Sequence, residues 1–139
     1  TCAKPAISNL NAGVSYFYGS VGASGEYGDN KQSFFTATSS KSKNTRGYLW
    51  DEGFHDAVIC RWNHRICMEI LQSYLNTQYP SGWIPSDQIR GKEAEANSDL
   101  KHIQRLEDES NPPTLLLNVE YLMQLVSEKH KDAALIKSY

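Results

Sequence analysis

Apolar side chains return at helical spacing through the middle of this chain, and a single asparagine interrupts them. Phe54, Ala57, Val58, Arg61 and Trp62 fall at one spacing, and Ile66, Ile70, Leu71, Tyr74 and Leu75 continue it. Asn63 between them is a good cap residue. The pattern predicts two helices, over about 53–62 and 64–77, broken at Asn63. The segment Gln78 to Pro85 (QYPSGWIP) is turn chemistry, with two prolines and a glycine. Residues 90–110 are polar and charged, with too thin an apolar face for more than partial helix. Asn111-Pro112-Pro113 then opens a further helix, because proline is tolerated in a first turn. Leu116, Val119, Tyr121, Leu122, Leu125 and Val126 are its expected buried face.

The first fifty residues read differently. They are rich in Gly, Ser, Asn and Tyr. Val14, Tyr16 and Tyr18 alternate with Ser15, Phe17 and Gly19, which is a short strand pattern bounded by glycines. Gly19 to Asn30 and Ser39 to Arg46 are expected to be loops. No internal repeat is present. The chain is therefore expected to be mainly α, with an irregular, partly β lead-in over 1–45 and a helical part over 46–139.

Composition narrows the function classes. The 139 residues carry 14 basic and 16 acidic side chains, a net charge of -2, so no broad basic field exists for nucleic acid or an anionic membrane. The longest aliphatic run, Leu115-Leu116-Leu117, is far short of the ~20 residues that span a bilayer. No signal peptide opens the sequence, and no N-x-[ST] acceptor occurs. The first residue is Thr1 rather than Met, which suggests a processed or partial product. The three cysteines, Cys2, Cys60 and Cys67, are an odd number, so at least one is free or paired outside the chain. In one straight helix Cys60 and Cys67 would stand ~10.5 Å apart, beyond disulfide reach, and they are expected to be small buried hydrophobes.

Chemistry concentrates in Arg46-Gly47-Tyr48-Leu49-Trp50-Asp51-Glu52-Gly53-Phe54-His55. Asp51 and His55 at i, i+4 could share a helical face toward a metal, but His64, His102 and His130 lack the spacing of a ligand set. A helicase-like D-E-x-H reading fails because there is no phosphate loop. A sugar pocket fits the residue types better. An indole stacks on the apolar face of a pyranose, while Asp51 and Arg46 supply an acceptor and a donor fork for its hydroxyls. The competing structural account puts Trp50 and Phe54 in the core, with Asp51 capping a helix. A second cluster repeats the theme: Ser81-Gly82-Trp83-Ile84-Pro85 leads into Asp87, Gln88, Gly91, Lys92 and Glu93.

These two clusters, in this order, carry a resemblance. Ser8-Asn9-Leu10 through Val14-Ser15-Tyr16-Phe17-Tyr18-Gly19, then Phe35-Thr36-Ala37, then the Arg46–His55 block resemble segments of the processing α-glucosidase I proteins of glycoside hydrolase family 63. Gly82-Trp83-Ile84-Pro85 with Gln88-Ile89 and Asn111-Pro112-Pro113-Thr114-Leu115-Leu116-Leu117 continue the match. The likeness covers about residues 8–126 and corresponds to the N-terminal part of that family's catalytic domain. It implies part of an (α/α)6 toroid, so that 1–139 would be an incomplete catalytic domain. It implies inverting exo-hydrolysis of the terminal α-1,2-linked glucose of the Glc3Man9GlcNAc2 N-glycan, in the lumen of the endoplasmic reticulum, by a membrane-anchored protein.

By the same resemblance Arg46, Trp50, Asp51, Trp83 and Asp87 map to substrate-binding positions. The family's general acid and base lie in segments that this chain does not contain, so no catalytic residue, metal or cofactor is assigned to it. Ser86 stands where the family has an arginine, and Asp87 where it has a glutamate. The expected partners are the N-glycan and the remainder of the catalytic domain. The alternative is a non-catalytic remnant or glycan-binding module of the same ancestry. A small helical interaction protein with an accidental match is the third class.

Overall fold

A computed structural model describes residues 2–20, 31–38, 40–98 and 111–137. The elements in order are α1 (Ala3–Gly13), β1 (Val14–Gly19), β2 (Gln32–Ala37), β3 (Gly47–Tyr48), α2 (Leu49–Trp62), α3 (His64–Leu75), β4 (Asp87–Gln88), α4 (Lys92–Ala96) and α5 (Leu115–Lys137). The molecule is mainly α with a little sheet. The expected loop over 21–30 and most of the polar stretch after Ser98 lie outside the described residues.

The break at Asn63 is present and has a clear cause. Asn63 takes an extended backbone conformation, and its N–H donates to the Ile59 carbonyl at 2.7 Å, closing α2. Its side-chain oxygen then accepts from the Arg65 and Ile66 amides at 3.0 and 3.3 Å, capping α3. The chain turns back on itself there and α2 packs on α3. That corner corrects the cysteine expectation. Cys60 and Cys67 form a disulfide with their Cα atoms 4.8 Å apart, because they sit on two helices and not along one. Cys2 is free and exposed. Closing so short a loop contributes about 2–3 kcal/mol in the chain-entropy account. Replacing both cysteines by serine should lower the unfolding free energy by about that much, read as a shifted denaturation midpoint.

The core lies between α2, α3 and the β1–β2 hairpin. It contains Phe34, Ala37, Ile59, Cys60, Cys67, Ile70, Leu71, Tyr74 and Leu115. β1 and β2 are antiparallel, with Tyr16 opposite Phe35 and Tyr18 opposite Ser33. Phe34 turns inward and meets the Tyr74 ring edge-on at 4.9 Å. The Phe35 amide is held by Ser73 Oγ at 3.1 Å, which fastens β2 to α3. α5 lies on α2. There Asn118 Nδ2 donates to the Gly53 carbonyl at 2.8 Å, and Thr114 Oγ1 donates to the Trp50 carbonyl at 2.8 Å. Gly53 is required at this crossing, since a Cβ there would stand 2.2 Å from Thr114 Oγ1.

Several expectations are corrected. Residues 3–13 are helical, although they fall in the lead-in read as irregular; Ile7 and Leu10, three apart, turn to one side and are half-buried. α2 starts at Leu49, four residues before the expected position. Its expected apolar face is turned largely outward: Phe54, Val58, Arg61 and Trp62 are exposed and Ala57 is half-buried, and Trp50 in the added first turn is exposed as well. The buried residues are Glu52, Gly53, Asp56, Ile59 and Cys60. This also overturns the account that places Trp50 and Phe54 in the core, and Asp51 lies inside the first turn of α2, whose N-cap is Tyr48. On α3 the expected face is buried apart from Ile66, which is half-buried, and Leu75, which is exposed. On α5, Leu116 and Val126 are exposed, while Leu115 and Asn118 are buried. The Thr114 and Asn118 bonds to α2 set that rotation.

Candidate functional site

The two aromatic-and-acid clusters come together through a very short ladder. β3 pairs antiparallel with β4, with Gly47 opposite Gln88 and Tyr48 opposite Asp87. The Leu49 amide extends the ladder by donating to the Ser86 carbonyl at 2.8 Å. Gly47 fits where nothing larger could, because an added Cβ would lie 2.7 Å from both the Phe34 ring and Tyr74 Oη.

Of the five sequence-derived binding residues, Arg46 and Asp87 meet directly. Arg46 Nε stands 3.1 Å from Asp87 Oδ1, with both side chains almost buried. Arg46 Nη1 donates to Ser98 Oγ at 3.0 Å, and the guanidinium lies over the Tyr48 ring at 4.9 Å. The other Asp87 oxygen accepts from Ser86 Oγ at 3.0 Å. Burial pushes the Tyr48 hydroxyl pKa up, against the lowering effect of Arg46.

Trp50 and Asp51 occupy the first turn of α2 and face outward, where the Asp51 carboxylate also complements the positive end of the helix. Trp83 is half-buried with its ring 5.2 Å from that of Tyr79. It lines an apolar cavity of about 280 Å³ together with Leu49, Leu71, Pro112 and Leu115. Trp50 and Asp51 are not among that cavity's lining residues. The arrangement therefore has three parts: a buried ion pair, an outward indole–carboxylate pair one residue beyond β3, and an inward indole beside β4.

Sequence reasoning missed a fourth part. Glu52, next to Asp51 on the helix, points to the opposite side and is fully buried. Its two oxygens accept from the Ala37 amide at 2.9 and 3.0 Å, and one accepts from Thr36 Oγ1 at 2.5 Å. Tyr74 Oη donates to it more weakly at 3.4 Å. His55 Nδ1 lies 3.9 Å from Glu52 Oε2, and the imidazole pKa is raised, first by its interaction with Glu52. One turn on, Asp56 is also fully buried, and neither of its oxygens has a hydrogen-bond partner. Burial, then the neighbouring Glu52, pushes the Asp56 carboxyl up to about 9, so it holds its proton at neutral pH. The signal available was the helical spacing of Glu52 and Asp56, which places both a turn apart on one face. Tyr74 was read only as apolar. Among the described residues, no group of three metal-ligating side chains converges.

Comparison with known proteins gives a consistent picture. Residues 1–138 match the family model described as the glycosyl hydrolase family 63 C-terminal domain. The chain is 34% identical to "Alpha-glucosidase 2" of Arabidopsis thaliana, over 94% of this chain and 18% of that protein. It is 34% identical to "Mannosyl-oligosaccharide glucosidase GCS1" of the same plant, over 88% of this chain and 16% of the other. Against "Mannosyl-oligosaccharide glucosidase" of Saccharomyces cerevisiae the identity is 30%, over 91% of this chain and 17% of that protein. The chain thus spans less than a fifth of the length of these curated relatives.

Proposed function

From the premise that this chain belongs to glycosyl hydrolase family 63, we propose that it forms part of the glucose-holding pocket of a mannosyl-oligosaccharide glucosidase. The reaction would be inverting exo-hydrolysis of the terminal α-1,2-linked glucose of the Glc3Man9GlcNAc2 N-glycan. Inversion uses one carboxylic acid on the leaving oxygen and a carboxylate that activates water on the opposite face, roughly 6.5–9.5 Å apart. Asp51 and Glu52 cannot be that pair, because one faces outward and the other is buried under β2. The acid and base belong to other parts of the polypeptide, and the helices of the described residues form one arc of an (α/α)6 toroid. The Cys60–Cys67 disulfide favours folding in an oxidising compartment such as the endoplasmic reticulum lumen. No helix of the described residues is long and apolar enough to cross a membrane.

The observation that carries the reading is the β3–β4 ladder, which holds Trp50-Asp51 one residue past β3 and Arg46 against Asp87. Trp50 would stack on the sugar ring and Asp51 would accept from a hydroxyl. Arg46 and Asp87 largely neutralise each other, which favours a role in fixing this ladder over direct grip on the glucose. The test is kinetic, on the polypeptide that contains the acid and base segments. Asp51→Asn should lower kcat/KM on the triglucosylated glycan by about 10- to 100-fold, the effect of losing one charge-assisted hydrogen bond. Unchanged kinetics would return Asp51 to a helix-end electrostatic role.

A further inference from the structure

We propose that the hollow between β1, the turn at 41–45 and α4 is a second saccharide site, distinct from the Arg46, Trp50, Asp51, Trp83 and Asp87 set. It rests on the reading of this chain as part of a sugar-handling protein. The cavity is about 290 Å³, and its lining includes Ser15, Tyr16, Phe17, Lys41, Thr45 and Glu93. The exposed Tyr16 ring thus meets two hydroxyls, one carboxylate and one ammonium at the free edge of β1, while Phe17 turns to the core side. The one ammonium and one carboxylate leave the hollow near neutral, with no net pull on a free anion or a free cation. A neutral polyol with one apolar face satisfies all of them. The Ser15 hydroxyl is already oriented, since it donates to the Gly13 carbonyl at 3.1 Å and lies 3.4 Å from Thr38 Oγ1.

The surface beside the cavity extends the same chemistry. Tyr16, Tyr18 and Phe35 are exposed on one side of the β1–β2 ribbon, while Phe34 on the other side is buried in the core. Tyr16 and Phe35 are cross-strand partners with ring centroids 5.1 Å apart. Tyr16 Oη is 3.0 Å from Ser33 Oγ, so the ring is held in place. The exposed aromatics are uncharged and two of the three carry hydroxyls, which suits stacking of an adjoining pyranose. Tyr16 belongs to both the cavity and this face, so it would sit where two linked rings meet. The ligand class is a glucose-containing oligosaccharide whose outer ring enters the cavity.

Photoaffinity labelling with a diazirine-bearing glucoside, followed by peptide mapping, tests this. The expected result is label on 14–17 and 41–45 that an unlabelled α-1,2-linked glucose disaccharide competes away. Glu93→Ala, at an exposed position, and Tyr16→Ala should each reduce that label about tenfold, and Tyr16→Phe should keep it. Label that is not competed, or that appears in neither region, overturns the inference. Label confined to 46–51 and 83–87 also overturns it, while leaving the reading of those residues intact. Label at 14–17 and 41–45 alone supports this site and counts against that reading.

Discussion

Asp56→Asn should make the protein markedly more stable at neutral pH and flatten its pH dependence. The Asp56 carboxyl is fully buried and unpartnered, and its pKa in the folded state is about 9. In the unfolded chain an aspartate loses its proton near the usual value of about 4. Between these two values the unfolded state binds fewer protons than the folded one. Stability is therefore full below the unfolded pKa and falls as pH rises toward 9, by up to about 1.4 kcal/mol per pH unit. The raised His55 pKa acts in the same direction near neutrality: its contribution is present in acid and lost as pH rises through the folded value. Asparagine keeps the shape of the protonated acid and does not ionise, so the gain at pH 7 should be about 2–4 kcal/mol. Chemical denaturation of both proteins at pH 5 and pH 8 checks this. Equal pH slopes would mean that Asp56 is solvated or paired in solution.

Glu52→Ala should have the opposite effect and a larger one. Glu52 accepts from the Ala37 amide with both oxygens, and it also takes the Thr36 hydroxyl at the end of β2. Truncation leaves the buried Ala37 amide without its acceptor, leaves the Thr36 and Tyr74 hydroxyls to each other at 2.9 Å, and opens a void beneath the hairpin. The expected loss is about 3–5 kcal/mol, enough to unfold a chain of this size under mild conditions. Glu52→Gln keeps one acceptor oxygen and should lose less. It should also lower the His55 pKa, because the imidazolium loses its nearby anion. Proton titration of His55 by NMR separates the two effects. A Glu52→Ala protein as stable as the parent would show that β2 is held chiefly by the Ser73 hydroxyl and the Phe34–Tyr74 contact.

Both predictions concern residues that the sequence displays without disclosing what they do. The α2–α3 corner was legible, because a residue that caps a helix stood between two helical spacings. So was β1, from its alternation. The direction in which α2 faces was not legible. Its sequence carries two competing stripes, one of Trp50, Phe54, Val58 and Trp62 and one of Glu52, Asp56, Ile59 and Cys60. Counting hydrocarbon chooses the first. The structure chooses the second, because backbone and side-chain donors on β2 and α3 meet Glu52. That preference depends on partners at Ala37 and Tyr74, which no local window contains. The disulfide was obscured in a related way. The break at Asn63 was read correctly, yet the cysteine spacing was measured as if the helix ran straight through it.

For the candidate site, the motif order identified both clusters, and the ladder that joins them accounts for their separation in the sequence. The roles within the clusters were less accessible. The pairing of Arg46 with Asp87, almost buried against each other, has no sign in the sequence, where they stand 41 residues apart. Trp50 and Trp83 looked alike as indoles beside acids, but one is outward and the other lines an apolar cavity. A residue type and its neighbours give a side chain's chemistry, whereas its aim depends on which side of a helix the rest of the molecule covers.

The outer stripe of α2 has a practical consequence for the material in a tube. An indole, a phenyl ring, an isopropyl group and a second indole are wetted on successive turns, and water gains by their removal whatever removes them. Light scattering and sedimentation by this polypeptide will therefore climb with concentration and with kosmotropic salt. Polar replacements at Trp50, Phe54, Val58 and Trp62 will raise its solubility without touching the interior.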